Sequence, residues 1–105
     1  MSISLENLNC KIFSEQLHTQ FRLLRDGLDP LPLELIEVKE SDPSPKIELF
    51  SLQFRGPAAP YLLQHIYTLE HDKLGRFAIF LTGIAGDAEG ITYESVFHRF
   101  RKNVP

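Results

Sequence analysis

The stretch FRGPAAPYLLQHIYTLEHDKLGRF, residues 54–77, decides how the whole chain is read. Its histidines and carboxylates (His65, Glu70, His71, Asp72) are dense enough to suggest a site. IYTLEH, residues 66–71, instead reads as a β-strand bounded by turn signals. On such a strand His65 and His71 share a face, but six steps of about 3.3 Å separate them by roughly 20 Å. A zinc site needs its ligands converging within about 2.0–2.3 Å of one point, and Glu70 faces the other way. The stretch therefore reads as a strand end at FRGP, a proline-bounded crossing through Pro57 and Pro60, and a hairpin that reverses over DKLG. Gly75 suits a positive φ in that reversal.

Further strands flank this segment. RFAIFLTGI, residues 76–84, is apolar on both faces in part and reads as a central strand. AGDAEG, residues 85–90, reads as a hairpin loop. ITYESVFHRF, residues 91–100, sets Ile91, Tyr93 and Phe97 against Thr92, Glu94 and His98. On the other side, IELFSLQF, residues 47–54, puts Phe50, Leu52 and Phe54 on one face and Ser51, Gln53 and Arg55 on the other. A loop at 41–46 precedes it, because its two prolines cannot continue a ladder. LPLELIEVKE, residues 31–40, places Leu33, Leu35 and Glu37 on one face and Glu34, Ile36 and Val38 on the other. RDGLDP, residues 25–30, carries the Asp-Gly pair of a type I′ turn, within a connection somewhat longer than two residues. A strand over 19–25 and a short helix over 12–18, with Ser14 as its N-cap, complete the reading. Residues 1–11 and 101–105 are the segments expected to fray.

These signals predict a mainly β domain spanning 1–105. Its architecture is a small six-stranded antiparallel barrel or bent sandwich with a short N-terminal helix. No helical pattern of 10–15 residues separates the later strands, which argues against parallel βαβ order.

Composition narrows function without naming it. A chain of 105 residues is one domain, and 43% hydrophobic residues suffice for an ordinary core. The net charge of −3 gives no global attraction to nucleic acid or anionic lipid. The single Cys10 can make neither an internal disulfide nor a thiolate zinc site alone. The N-terminal residues lack a secretory pattern, and no apolar run approaches the roughly 18 residues of a membrane span. The expectation is a soluble, cytoplasmic protein with no membrane span.

Each chemical constellation has a structural reading beside it. Glu70 and Glu94 lie near one end of two strands, yet a carboxylate pair needs burial or close approach to become an acid and base. Cys10 sits beside Leu8 and Ile12, as a small buried hydrophobe does. No G-x-S-x-G elbow is present, and no Lys-Ser/Thr follows Gly83, Gly86 or Gly90 to make a phosphate loop. FHRFRK, residues 97–102, interleaves aromatic and basic residues in the manner of single-strand binders, but an inward Phe97 and an edge protected by charge explain it as well. Arg55, leaving a strand into Gly56-Pro57, reads as a clamp on nearby carbonyls or on Glu70.

FSLQFRGP, YTLEHDKLG and FLTGIAGDAEGITYESVF together resemble a family of small bacterial domains of unknown function. Its members share FSLxFRGP, YxLEHxxLG and GxxYExVF motifs, and the resemblance runs from Phe50 to Phe97. His65-Ile66 departs from the Gly-Thr-like pair usual before the tyrosine. The resemblance implies a compact β-rich domain, brings no catalytic residues, and implies a place beside phage-tail-like or surface structures.

The functional expectation is a non-enzymatic protein-interaction or assembly module with no cofactor and no metal. Its partner would be another protein or a second copy, with nucleic acid disfavoured. The candidate interaction or rim residues are Arg55, Tyr67, Glu70, His71 and Tyr93. The alternative is a small-molecule-binding β-barrel, with Tyr61, Tyr67, Tyr93 and the histidines lining its mouth. A metal-dependent hydrolase and a nucleic-acid binder rank below both.

Overall fold

Alternation of side chains resolves into six strands whose inward faces meet. A computed structural model describes residues 8–41 and 46–100. Helix α1 (Cys10–Ser14) is followed by β1 (Gln20–Arg25), β2 (Leu28–Glu40), β3 (Ile47–Gly56), β4 (His65–His71), β5 (Gly75–Asp87) and β6 (Gly90–Phe100). Every pairing is antiparallel. The single sheet closes into a ring in the order β1-β2-β3-β6-β5-β4, a closed barrel. Of the two architectures the alternation allowed, the ring is the one formed. Its closing seam is short, since β1 meets β4 only at Arg22↔Glu70 and Leu23↔Leu69.

The core follows from parity. β3 alternates strictly, sending Glu48, Phe50, Leu52, Phe54 and Gly56 inward. β6 answers across the ladder with Arg99, Phe97, Ser95, Tyr93 and Ile91. Phe50 and Phe97 stack with centroids 4.5 Å apart and planes 6° from parallel. Phe21 and Phe54 meet edge to face at 5.3 Å, a favoured aromatic geometry. Among the described residues, no buried side-chain N or O atom lacks a hydrogen-bond partner.

β2 breaks parity against β3 once. Leu35 pairs with Phe54 and Glu37 with Gln53, so Ile36 is an extra residue, a β-bulge. Beyond it Glu37 points outward and Val38 packs against the core. The sequence expectation had carried Leu33 and Leu35 parity through to Glu37; the bulge reverses it.

Two connections are tighter than their composition suggests. Arg25 pairs with Leu28, so only Asp26 and Gly27 form the turn. Gly27 takes φ +70 while Asp26 does not take a positive φ, so the type I′ turn, which requires both, is not formed. Asp87 pairs with Gly90, leaving Ala88 and Glu89 as the turn where AGDAEG suggested a six-residue loop. The reversal after β4 is as expected, with Gly75 at φ +78 and paired to His71. Of the 41–46 loop, residues 42–45 lie outside the described residues.

The helix is shorter and starts earlier than 12–18. Its N-cap is Asn9, whose side chain accepts from the Ile12 amide at 2.8 Å. Ser14 closes the helix instead, its hydroxyl donating to the Cys10 carbonyl. His18 then turns the chain through φ +66, a left-handed position that costs a non-glycine residue about 1 kcal/mol. Its amide donates to the Leu35 carbonyl at 2.7 Å and docks the turn on β2. Leu8 and Phe13 are fully buried, so the described part of the N-terminal segment belongs to the core.

Candidate functional site

The five residues singled out by sequence fall at three separate places. His71 lies at the end of the ring capped by α1. Arg55 and Tyr93 belong to the opposite half, with Tyr67 beside the crossing. Glu70 stands on the outer wall at the β1–β4 seam.

At the α1 end, His71 is 5% exposed and its ring packs 4.3 Å from that of Phe21. Nδ1 accepts from the Lys73 and Leu74 amides at 3.1 and 3.3 Å. Those two donors place the ring proton on Nε2, which donates to Thr19 Oγ1 at 2.9 Å. The Thr19 hydroxyl donates in turn to the Gln16 carbonyl at 2.7 Å. A neutral histidine thus ties the β4–β5 turn to the α1–β1 junction. Burial holds its pKa below the usual imidazole value; Asp72 opposes the shift, while Arg22 and Lys73 add to it. His98 lies on β6 opposite Leu49, and β6 does not border β4, so His71 and His98 do not meet across paired strands. His65 is exposed at the far end of β4.

The same end holds a buried carboxylate. Glu48, 6% exposed, accepts from Arg99 Nε at 3.2 Å and from the Cys10 amide at 3.0 Å. The Arg99 guanidinium lies over the Phe50 and Phe97 rings, 5.7 and 5.1 Å from their centroids, and donates to the Leu8 carbonyl. Arg99 is thereby spent on holding the N-terminal segment, and Phe97 is buried. Of FHRFRK, only Phe100 stands exposed as an aromatic; residues 101 and 102 lie outside the described residues.

At the opposite end, Arg55 donates to Thr92 Oγ1 at 3.2 Å and to Asp87 Oδ1 at 2.9 Å. Asp87 Oδ1 also accepts from the Glu89 and Gly90 amides, which together with Arg55 hold its carboxyl below the ordinary range. Arg55 is therefore the clamp of the β5–β6 turn, not a partner of Glu70. The crossing segment 57–64 lies against this end. The buried Tyr93 hydroxyl accepts from the Leu62 amide at 3.1 Å, and the Tyr67 hydroxyl donates to the Leu63 carbonyl. Burial and the neighbouring Tyr93 raise the Tyr67 pKa. The Tyr61 ring lies over Gly83, where an added Cβ would meet it at 3.0–3.3 Å. The three tyrosines fasten the crossing.

On the wall, Glu70 accepts from Arg76 Nε at 2.8 Å and Arg22 Nε at 3.1 Å, joining three strands across the seam. Those two guanidiniums, Arg76 first, hold its pKa below the usual carboxylate value. Asp72 pairs with Arg22 at 2.9 Å. Glu94 belongs to β6, separated from β4 by β5, and pairs with Thr82, so Glu70 and Glu94 are not a carboxylate pair. Among the described residues no three His, Cys, Asp or Glu side chains are grouped to hold a metal. Nor does any helix among them have the length and apolarity to cross a membrane.

What the sequence did not single out is an outward surface on β3, β4, β5 and β6. Ile66 pairs with Phe80, and the two are 61% and 46% exposed. Val96, 60% exposed, stands two residues beyond Glu94 as Phe80 stands two before Thr82. The signal was present in RFAIFLTGI, whose apolar residues on both faces suggested burial on both. In a ring the second face is the outer wall. Beside Val96 lies a depression of about 290 Å³, lined by Glu37, Lys39, Leu49, Ser51, Gln53 and Glu94 among others.

Comparison with known proteins agrees with the resemblance at the level of a family. No curated protein and no solved structure matches the chain. A family model described as a domain of unknown function (DUF6916) matches residues 8–97, from the buried Leu8 to the stacked Phe97, and the chain belongs to that family.

Proposed function

We propose that the domain is a non-enzymatic protein-interaction or assembly module. The observation that carries this reading is the outer wall, where Ile66, Phe80 and Val96 expose large apolar surface. The interior offers a ligand little room. Phe13, Phe21, Phe50, Phe54 and Tyr93 fill it at 1% exposure or less, and the tyrosines that could frame a mouth are bonded to the crossing segment. Clustered apolar exposure of this kind marks protein contacts more often than catalysis. The five residues first singled out act within this reading as fasteners of the scaffold, and the contact surface lies elsewhere.

The partner is another protein or a second copy. An accessory role beside a phage-tail-like or surface structure, and a bacterial source, rest on the motif resemblance alone. The single cysteine, with no disulfide to make, suits a reducing compartment such as the cytoplasm. The test is affinity capture with the tagged full-length chain from its native host, at low and high salt. A stoichiometric protein partner is expected. Failure to retain any protein at any salt, with the chain sedimenting as a monomer, would overturn the reading.

A further inference from the structure

Charge is unevenly spread along the chain. Asp, Glu, Lys and Arg make up 24% of its residues, yet 57–68 and 77–86 contain none. At the average density of a globular protein the two stretches would hold about five.

The fold brings the two stretches together. β4 and β5 pair from His65↔Leu81 through Leu69↔Phe77. Residues opposite one another in a ladder share a face. The outer side of this hairpin therefore carries Ile66 with Phe80 and Thr68 with Ala78, all four exposed. Thr82 Oγ1 donates to Gln64 Oε1 at 3.4 Å and adds one more uncharged pair. The crossing continues the surface over the rim. Tyr61 is exposed with its ring over Gly83, and Leu63 is exposed with its carbonyl accepting from the Tyr67 hydroxyl. All twelve residues of 57–68 and seven of 77–86 are exposed or half-buried. A specific interface uses roughly 20–30 residues a side, so the uncharged surface has nearly the extent of one. Its borders are charged: the next outward row of the hairpin is Glu70↔Arg76, and Glu94 stands opposite Thr82 on β6. An uncharged, largely apolar centre inside a charged rim is the composition of a protein interface.

We propose that this face of the β4–β5 hairpin, together with the crossing, is the contact between two copies of the chain. Charge selects the occupant. A partner surface bearing Lys, Arg, Asp or Glu would lose the hydration of those groups here and meet no counter-charge. An anionic lipid surface is held by cations, and both stretches lack them. A second copy of the face brings no charge to bury, and a two-fold axis sets the same patch against itself without opposing like charges. Ile66, Phe80, Tyr61 and Leu63 supply the apolar area that such a contact removes from water. The proposal rests on the interaction-module reading and names its partner.

Sedimentation of the full-length chain from about 1 to about 300 µM is the test. A reversible monomer–dimer equilibrium is expected, with the mass rising from 12.0 kDa toward twice that value. It should not weaken as salt is raised, because screening finds no ion pair in the contact. Phe80→Asp and Ile66→Asp should each raise the dissociation constant about tenfold or more. Val96→Asp, on the neighbouring wall, should leave it unchanged. Amide spectra of the variants at monomeric concentration should match wild type away from the substituted residue, so that lost association reports the face and not the fold. A chain monomeric throughout, a dimer weakened by salt or by Val96→Asp, or a dimer indifferent to both hairpin variants would overturn the proposal. So would a different protein seated on this face, seen as a captured partner that Phe80→Asp releases from a monomeric chain. A monomer that still captures a protein sinks the dimer and leaves the module reading standing; a monomer that captures nothing sinks both.

Discussion

The two ends of the ring solve the same problem in different materials. The α1 end is closed by an aromatic plug: Phe13 lies 5.8 to 6.3 Å from Phe50, Phe77 and Phe97. Around the plug sit buried polar groups, Glu48 with Arg99 and His71 with Thr19, each satisfied by groups distant in sequence. The opposite end is closed by backbone. There the crossing segment hangs on tyrosine hydroxyls, and one guanidinium pins the β5–β6 turn. The difference teaches that the α1 end depends on volume and desolvation, whereas the other depends on close backbone approach and hydrogen-bond geometry.

Deleting the plug is the strongest way to break the comparison. Phe13→Ala removes a fully buried ring from three aromatic partners and should cost about 3–5 kcal/mol of stability in denaturant unfolding. Amides of the β5–β6 turn should then lose protection only as far as global stability falls. Selective loss at that turn would show that the ends are not independent.

The matching break at the other end is Gly90→Ala. An added Cβ would lie 2.6 Å from the Gly56 carbonyl oxygen and 2.8 Å from Arg55 Nε, so backbone must move. About 2 kcal/mol of destabilisation is expected, and NMR should show the Arg55 guanidinium displaced from Asp87. A melting temperature equal to wild type would contradict the close approach.

Acid sharpens the contrast, because only the α1 end carries a buried histidine. The folded pKa of His71 lies below its unfolded value near 6.5. The unfolded chain therefore takes up the proton more readily. The stabilising contribution is complete above about pH 6.5 and is lost as pH falls below it toward the folded pKa, at no more than about 1.4 kcal/mol per pH unit. Protonation would also set an N–H at Nδ1 against the Lys73 and Leu74 amides. His71→Gln should flatten the stability profile between pH 7 and 5; an unchanged slope would assign the acid sensitivity elsewhere.

The smallest effect belongs to Tyr93→Phe. It keeps the ring and removes the acceptor for the Leu62 amide, at a cost of about 1 kcal/mol. Hydrogen exchange at Leu62 should accelerate while exchange at the α1 end stays unchanged. No change at Leu62 would remove Tyr93 from the fastening of the crossing.

Strand identity was legible wherever parity was clean. FSLQF, YTLEH and ITYESVF each sent to the core the residues their alternation assigned, and the hairpin at Gly75 was visible from one glycine. Three things were not legible. The N-cap was misplaced because Asn9 and Ser14 are both good caps, and only the docking of Cys10 against Glu48 on β3 favours the earlier start. Arg76 was legible as a partner of Glu70, but the partners of Arg55, and Arg22 as the second partner of Glu70, depend on strand order, which alternation does not contain: β6 threads between β3 and β5, giving Arg55 its Thr92 and Asp87. The wall was missed because apolar residues on both faces of β5 look like double burial, whereas ring closure leaves one face to solvent.

The bulge at Ile36 reaches beyond β2. Parity is a phase, and one skipped rung slips it for everything downstream. Were Ile36 a regular rung of the ladder, Glu37 and Lys39 would turn toward the core and Val38 toward solvent. Because the ladder passes over it, a carboxylate and an ammonium are printed onto the wall opposite Gln53 and Ser51. The charge pattern of that wall is thus written by a backbone irregularity as much as by the side chains that carry the charge. Restoring Ile36 to a regular, outward-facing rung would erase that pattern without substituting a single residue of it.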